Sequence, residues 1–132
     1  MKKLNLIFLF IFTGFIMISC GTNKVDGNYK DIGKEAANYA AKIENMTDIS
    51  QINQELDQCS KRINFHAGQI RGEFNKLGTE SARSKVSATT RIELNKGLTK
   101  LMKAWIKLEK KFGSKVRRAI QKMKDAIGGM PS

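Results

Sequence analysis

The chain has 132 residues, with 24 Lys and Arg against 12 Asp and Glu, and a formal charge of +12. That length fits one domain rather than two. Seven Phe, one Pro and 41% hydrophobic residues exclude a disordered or fibrous chain, and one His and two Cys leave little for a metal site or a disulfide scaffold.

Met1-Lys2-Lys3 is a short basic start, and Leu4 to Ile18 is almost wholly apolar, broken by Asn5, Thr13 and Gly14. A basic segment, an apolar segment and a small residue before Cys20 make an export signal. The apolar stretch is short for a spanning helix, which needs about 20 residues, so cleavage is favoured over an uncleaved anchor. Met17-Ile18-Ser19-Cys20 resembles the lipobox of bacterial lipoproteins, in the loose form that spirochaete lipoproteins use. The resemblance implies cleavage before Cys20, a diacylglyceryl thioether on its sulfur and acylation of its new amino group. Two or more acyl chains hold a protein on a bilayer stably where one does not. The expected organisation is a lipoprotein signal peptide over 1–19, a lipidated Cys20 and flexible tether over 20–29, a helical domain over 30–127 and a tail over 128–132. With Cys20 acylated, Cys59 has no partner and reads as a small buried hydrophobe.

The first helical run is Ile32, Ala36, Tyr39, Ile43 and Met46, one face of a helix over about 30–46. Thr47-Asp48 then offers an N-cap, with Gln51 in capping-box position. The second run, from Ile49 through Leu56, Cys59, Ile63, His66 and Ile70 to Leu77, predicts a helix over 48–77 that Gly78 closes. Val86, Thr90, Leu94, Leu98, Leu101, Trp105, Leu108 and Phe112 predict a third over 85–112, and Val116, Ile120, Met123 and Ile127 a fourth over 115–127, with Ser114 as its cap. No segment alternates with period two. The expectation is an all-α protein, an elongated antiparallel bundle of three to four helices, because short connections favour antiparallel neighbours. Gly68 and Gly72, four apart, are expected to let the first helix pack closely through Ala36 and Ala40.

The charge is uneven. Residues 20–80 carry 8 basic and 9 acidic side chains, residues 81–132 carry 14 basic and 3 acidic. Lys96, Lys100, Lys103, Lys107, Lys110 and Lys111 recur at helical spacing in the third run. Lys96 lies two positions from both Leu94 and Leu98, about 200° around the helix from the apolar seam. Lys115, Arg117, Arg118, Lys122 and Lys124 follow in the fourth run. Like charges at i, i+4 cost a few tenths of a kcal/mol per pair, so a face that forgoes mixed signs calls for a reason. Three readings stand: a solvated face, a binding face for a polyanion, and a juxtamembrane patch on anionic headgroups. No helix-turn-helix or other nucleic-acid reader is visible, and export places the chain away from nucleic acid. Sulfated glycosaminoglycans suit an exported protein better, and Lys suits a polymer bound by charge density.

The signal, the loose lipobox, the Lys-, Asn- and Ile-rich composition and the helical chain after Cys20 resemble the small surface lipoproteins of Borrelia-type spirochaetes. In plan the chain is similar to their decorin- and glycosaminoglycan-binding adhesins. Ser84-Lys85-Val86-Ser87-Ala88-Thr89-Thr90 resembles a Lys-Val-x-Ala-Thr-Thr stretch of those adhesins. The resemblance implies that Lys85 lies near a ligand site, and that the protein sits on the outer membrane at the cell surface, held in the bilayer through acylated Cys20.

His66 and Trp105 fall on apolar seams and read as core residues. Glu93 and Glu109 read as local partners of nearby lysines, and neither has the second carboxylate that acid–base chemistry needs. No phosphate loop or Ser/His/Asp set is present. The expected protein is therefore a non-enzymatic lipoprotein without metal or cofactor that binds a host glycosaminoglycan or matrix component through its basic helices. The competing readings are a binding module for a serum or envelope protein, and a structural envelope lipoprotein.

Overall fold

A computed structural model describes residues 23–131. The expected signal peptide and lipobox, with Cys20, lie outside the described residues, as does Ser132. Within them five helices form: α1 (Lys24–Ile43), α2 (Ile49–Leu77), α3 (Thr79–Ser84), α4 (Ala88–Phe112) and α5 (Ser114–Gly128). The chain is an all-helical bundle, with one helix more than the expected three to four. The extra one is α3, a single short element in the polar stretch between Gly78 and Lys85, which by sequence alone fits either a loop or a capped helix start.

Each boundary has a local cause. Asn23 caps α1 by accepting from the Asp26 N–H at 3.0 Å. The helix therefore starts at Lys24, not near residue 30, and most of the expected flexible tether is helical. Val25 and Tyr29 extend the apolar stripe of Ile32 backwards at helical spacing, and both are buried. Asp48 caps α2 by accepting from Gln51 N–H, and Ser87 caps α4 by accepting from Thr90 N–H. Gly78 and Gly113 take positive φ of 87° and 62°, which glycine reaches without steric cost. Gly113 itself occupies the cap position of α5, so Ser114 is the first helical residue rather than the cap.

Cross-helix contacts give the directions. Arg62 donates to Glu35, Lys42 pairs with Glu55, and His66 contacts Asn28, so α1 and α2 are antiparallel. Arg117 near Glu109 and Lys124 over Trp105 show α5 folding back on α4. The two hairpins then stack with like helices side by side. Asp26 accepts from Ser87 N–H and Glu44 from Lys107, so α1 and α4 run parallel. Asn53 donates to the Lys115 carbonyl and Lys122 to Asp57, so α2 and α5 do too. The antiparallel arrangement thus holds within each hairpin and not between them.

One core joins α1, α2, α4 and α5, with Ile32, Ile43, Ile52, Leu56, Ile63, Ile70, Leu101, Leu108, Ile120 and Met123 among its largest buried side chains. Among the described residues its buried members run from Val25 to Ala126, so a chain lacking residues 1–20 keeps the whole of this described core. The close approach of α1 is to α4 and not to α2. A Cβ on Gly97 would stand 2.1 Å from the Gly33 carbonyl oxygen, and one on Gly33 3.0 Å from Leu94 Cα. Gly72 meets nothing within 4 Å and Gly68 only the Arg71 side chain, so the expected packing through Gly68 and Gly72 does not occur. No helix among the described residues is long and apolar enough to cross a membrane.

Candidate polyanion-binding face

The buried stripe of α4 is Thr90, Gly97, Leu101, Ala104, Trp105 and Leu108. Helical geometry puts residues midway between these on the opposite side. There Lys96, Lys103 and Lys110 stand seven apart, two turns each, about 10 Å along the axis. All three are exposed. Lys100, Lys107 and Lys111 flank them, also exposed. This crest is what the sequence predicts for the α4 lysines.

The cations differ in what holds them. Lys107 donates to Glu44 at 3.1 Å, and Lys111 lies over its neighbour Phe112 at 5.4 Å from the ring centre. Lys96, Lys100, Lys103 and Lys110 make no ion pair among the described residues. On α5 the basic residues divide. Arg117 and Lys124 lie at the α4 side, against Glu109 and over Trp105, whereas Lys122 lies at the α2 side against Asp57. Lys115 and Arg118 are exposed and without an ion pair among the described residues. The α5 cations therefore do not extend the α4 crest as one surface, and three of the expected site residues, Lys107, Arg117 and Lys122, are partnered by acids. Lys85, in the link from α3 to α4, belongs to the end of the bundle. Its carbonyl accepts from Asn23 Nδ2 at 2.7 Å, and it stands at the N-terminal end of α4 rather than on the crest.

The crest carries lysines at moderate spacing, and Glu44 meets it at Lys107. Neighbours at i, i+4, such as Lys96 with Lys100 and Lys103 with Lys107, repel by a few tenths of a kcal/mol. Crest cations about 10 Å apart are near the screening length of about 8 Å at physiological salt, so their mutual cost is small. A flexible polyanion laid along the helix meets each of them in turn.

Three features were not read from the periodicity. Ile92, Met102 and Ile106 are exposed at 60%, 46% and 45%, and Ile92 and Ile106 share the phase of the crest lysines. Their signal was present as aliphatic residues out of step with the seam. Glu109 faces Arg117 of the next helix rather than a lysine of its own, and Glu93 makes no ion pair among the described residues. His66 is buried as expected. Asn28 Nδ2 donates to the Lys24 carbonyl, which leaves Asn28 Oδ1 to accept from His66 Nδ1–H at 2.9 Å. Asp31 lies 4.0 Å from the same nitrogen, so a carboxylate reaches it from α1, not from its own seam.

No protein-family model, no curated protein and no solved structure matches the chain.

Proposed function

We propose that the protein is a non-enzymatic lipoprotein of the spirochaete surface kind. It is held in the outer membrane by acylated Cys20 and binds a host polyanion, of the glycosaminoglycan or matrix class, along the outer face of α4. The observation that carries the reading is the row Lys96, Lys100, Lys103 and Lys110, exposed on one side of α4 and making no ion pair among the described residues. Paired cations elsewhere on the molecule show that carboxylates are available to the fold, since Glu35, Glu44 and Glu55 each take one and Asp57 takes two. Leaving the crest unneutralised keeps its field for a ligand. Asn23 caps α1 only three residues after Cys20, so the link to the bilayer in this reading is short.

The chain from residue 21 onward, applied to immobilised heparin, is expected to elute well above physiological salt, and its affinity to fall linearly with the logarithm of salt concentration, as counterion release requires. Elution at or below physiological salt removes the reading. A second reading has its own observation: Ile92 and Ile106 add aliphatic surface to the crest, which suits an acidic protein partner better than a sugar polymer. Substituting Ile92→Ser with Ile106→Ser separates the two. A polysaccharide ligand is retained, and a protein ligand is weakened.

A further inference from the structure

A chain of sugars bound to the lysine crest leaves part of the α4 outer face unused. Of the five large hydrophobic side chains exposed among the described residues, three stand on α4: Ile92, Met102 and Ile106. Ile92, Thr99 and Ile106 are seven apart, as are Lys96, Lys103 and Lys110 beside them, and all six are exposed. Asn95 and Met102 repeat at the same interval on the flank away from those lysines, also exposed. Seven residues fall about 20° short of two turns, so each row stays near one line over the roughly 21 Å from Ile92 to Ile106. In heptad terms Ile92, Thr99 and Ile106 hold one core position and Asn95 and Met102 the other. Lys96, Lys103 and Lys110 hold the position beside that core. A shallow groove lined by Ile92, Asn95, Lys96, Thr99, Lys100 and Lys103 follows this seam.

Both flanks of the seam are basic. The crest lysines stand towards α1, where Lys107 reaches Glu44. On the other flank Arg91 is exposed, and α5 brings Lys124 over Trp105. The two acids of α4 stand outside the seam: Glu93 at the Gly33 crossing with α1, and Glu109 towards Arg117 of α5. A second copy of α4 does not fit this face. Antiparallel pairing sets one lysine row against the other, and parallel pairing sets the lysines against the flank of Arg91 and Lys124. Like charges meet either way, which specifies against the pair. A ligand that uses both the aliphatic row and the cations carries an apolar stripe edged by carboxylates at the same period. An acidic amphipathic helix has that form.

We propose that the outer face of α4 docks an acidic amphipathic helix of a partner protein, with its aliphatic residues on Ile92, Thr99 and Ile106 and its carboxylates at Lys96, Lys103 and Lys110. This deepens the protein-partner reading of the face and rests on α4 being a docking surface. The helix and a polysaccharide share the crest lysines, so each excludes the other.

The probe is a synthetic peptide of three heptads with Ile and Leu at the core positions and Glu on both flanks, labelled with fluorescein and titrated with the chain from residue 21 onward. Its glutamates keep it from pairing with itself. The expected result is saturable one-to-one binding by anisotropy, with a gain of helical circular dichroism. A peptide of the same composition in permuted order binds at least about tenfold more weakly, because it cannot bring its aliphatic residues and its charges to the face together. Ile92→Ser with Ile106→Ser, both exposed positions, weakens the heptad peptide by at least about tenfold and leaves heparin elution unchanged. The triple variant Lys96→Glu, Lys103→Glu, Lys110→Glu loses the peptide, and heparin displaces it from the wild type. Absence of saturable binding, equal binding of the two peptides, full peptide affinity in the double serine variant, or heparin and peptide bound together would each overturn the proposal. The two ligands fail separately: peptide binding without heparin retention overturns the polysaccharide alone, and heparin retention without peptide binding overturns the helix alone.

Discussion

Cys59 and Asp26 show how single residues were set by neighbours that the linear pattern does not name. Cys59 falls on the apolar seam of α2, and its burial was legible from that spacing alone. Its chemistry follows: burial, with the Glu35 charge adding to it, pushes the thiol up to about 12. The reactive species is the thiolate, so at neutral pH the folded protein has almost none. Iodoacetamide is expected to leave Cys59 unmodified in native buffer and to label it fully in urea, read by mass spectrometry of the chain from residue 21. Native labelling at the denatured rate contradicts the burial. Asp26 was not legible, because its hydrogen-bond partners, Ser87 and Thr90, lie at the start of another helix. Burial pushes its carboxyl up, but the Ser87 N–H, the hydroxyls of Thr90 and Ser87, and Lys30 together hold it below its ordinary 3.8. A carboxyl lowered in the folded state stabilises above its unfolded value and loses that contribution as pH falls through the folded one. Urea unfolding followed at about pH 5 and about pH 2 is therefore expected to show the wild type losing more stability than Asp26→Ala. An equal loss in both would show that the carboxylate does not clasp α1 to the start of α4.

At the scale of the element, helix existence was readable and helix contact was not. The runs of apolar residues at three and four placed α1, α2, α4 and α5, and the Asp48 cap and the Gly78 terminator were recognisable by type. The start of α1 was missed because a Gly- and Asn-bearing stretch reads as a tether until Val25 and Tyr29 are counted in the stripe. The glycines show the deeper limit. Gly33, Gly72 and Gly97 look alike in sequence, yet only Gly33 and Gly97 are backbone contacts between helices. Which glycine meets which backbone depends on the register of α1 against α4, set by residues more than 60 positions apart. The distinction can be measured. Gly72→Ala, in open space, is expected to stabilise by about 0.5–1 kcal/mol through helix propensity. Gly97→Ala makes the same local gain but places a methyl 2.1 Å from the Gly33 oxygen. It is expected to destabilise by about 1–3 kcal/mol as α1 is pushed away. Equal effects of the two substitutions in denaturant titrations would contradict the crossing.

For the whole molecule, the excess of positive charge in residues 81–132 was plain from counting, and its division was not. Folding back at Gly113 separates the α5 cations from the α4 crest, and stacking the hairpins in parallel brings Glu44 and Asp57 of the acidic half against Lys107 and Lys122. Neither step can be read from helical period, because both depend on which helices become neighbours. Besides Lys115 and Arg118 of α5, one unpaired row remains on α4, and the proposed function depends on that row rather than on net charge. The most direct measurement compares two triple charge reversals of equal net charge on a heparin column: Lys96→Glu, Lys103→Glu, Lys110→Glu on the crest, and Lys42→Glu, Arg117→Glu, Lys122→Glu at acid-paired positions away from it. The first is expected to abolish retention at physiological salt while the second leaves most of it. Equal shifts in elution for both would mean that binding follows overall charge, and that the α4 face is not a docking surface.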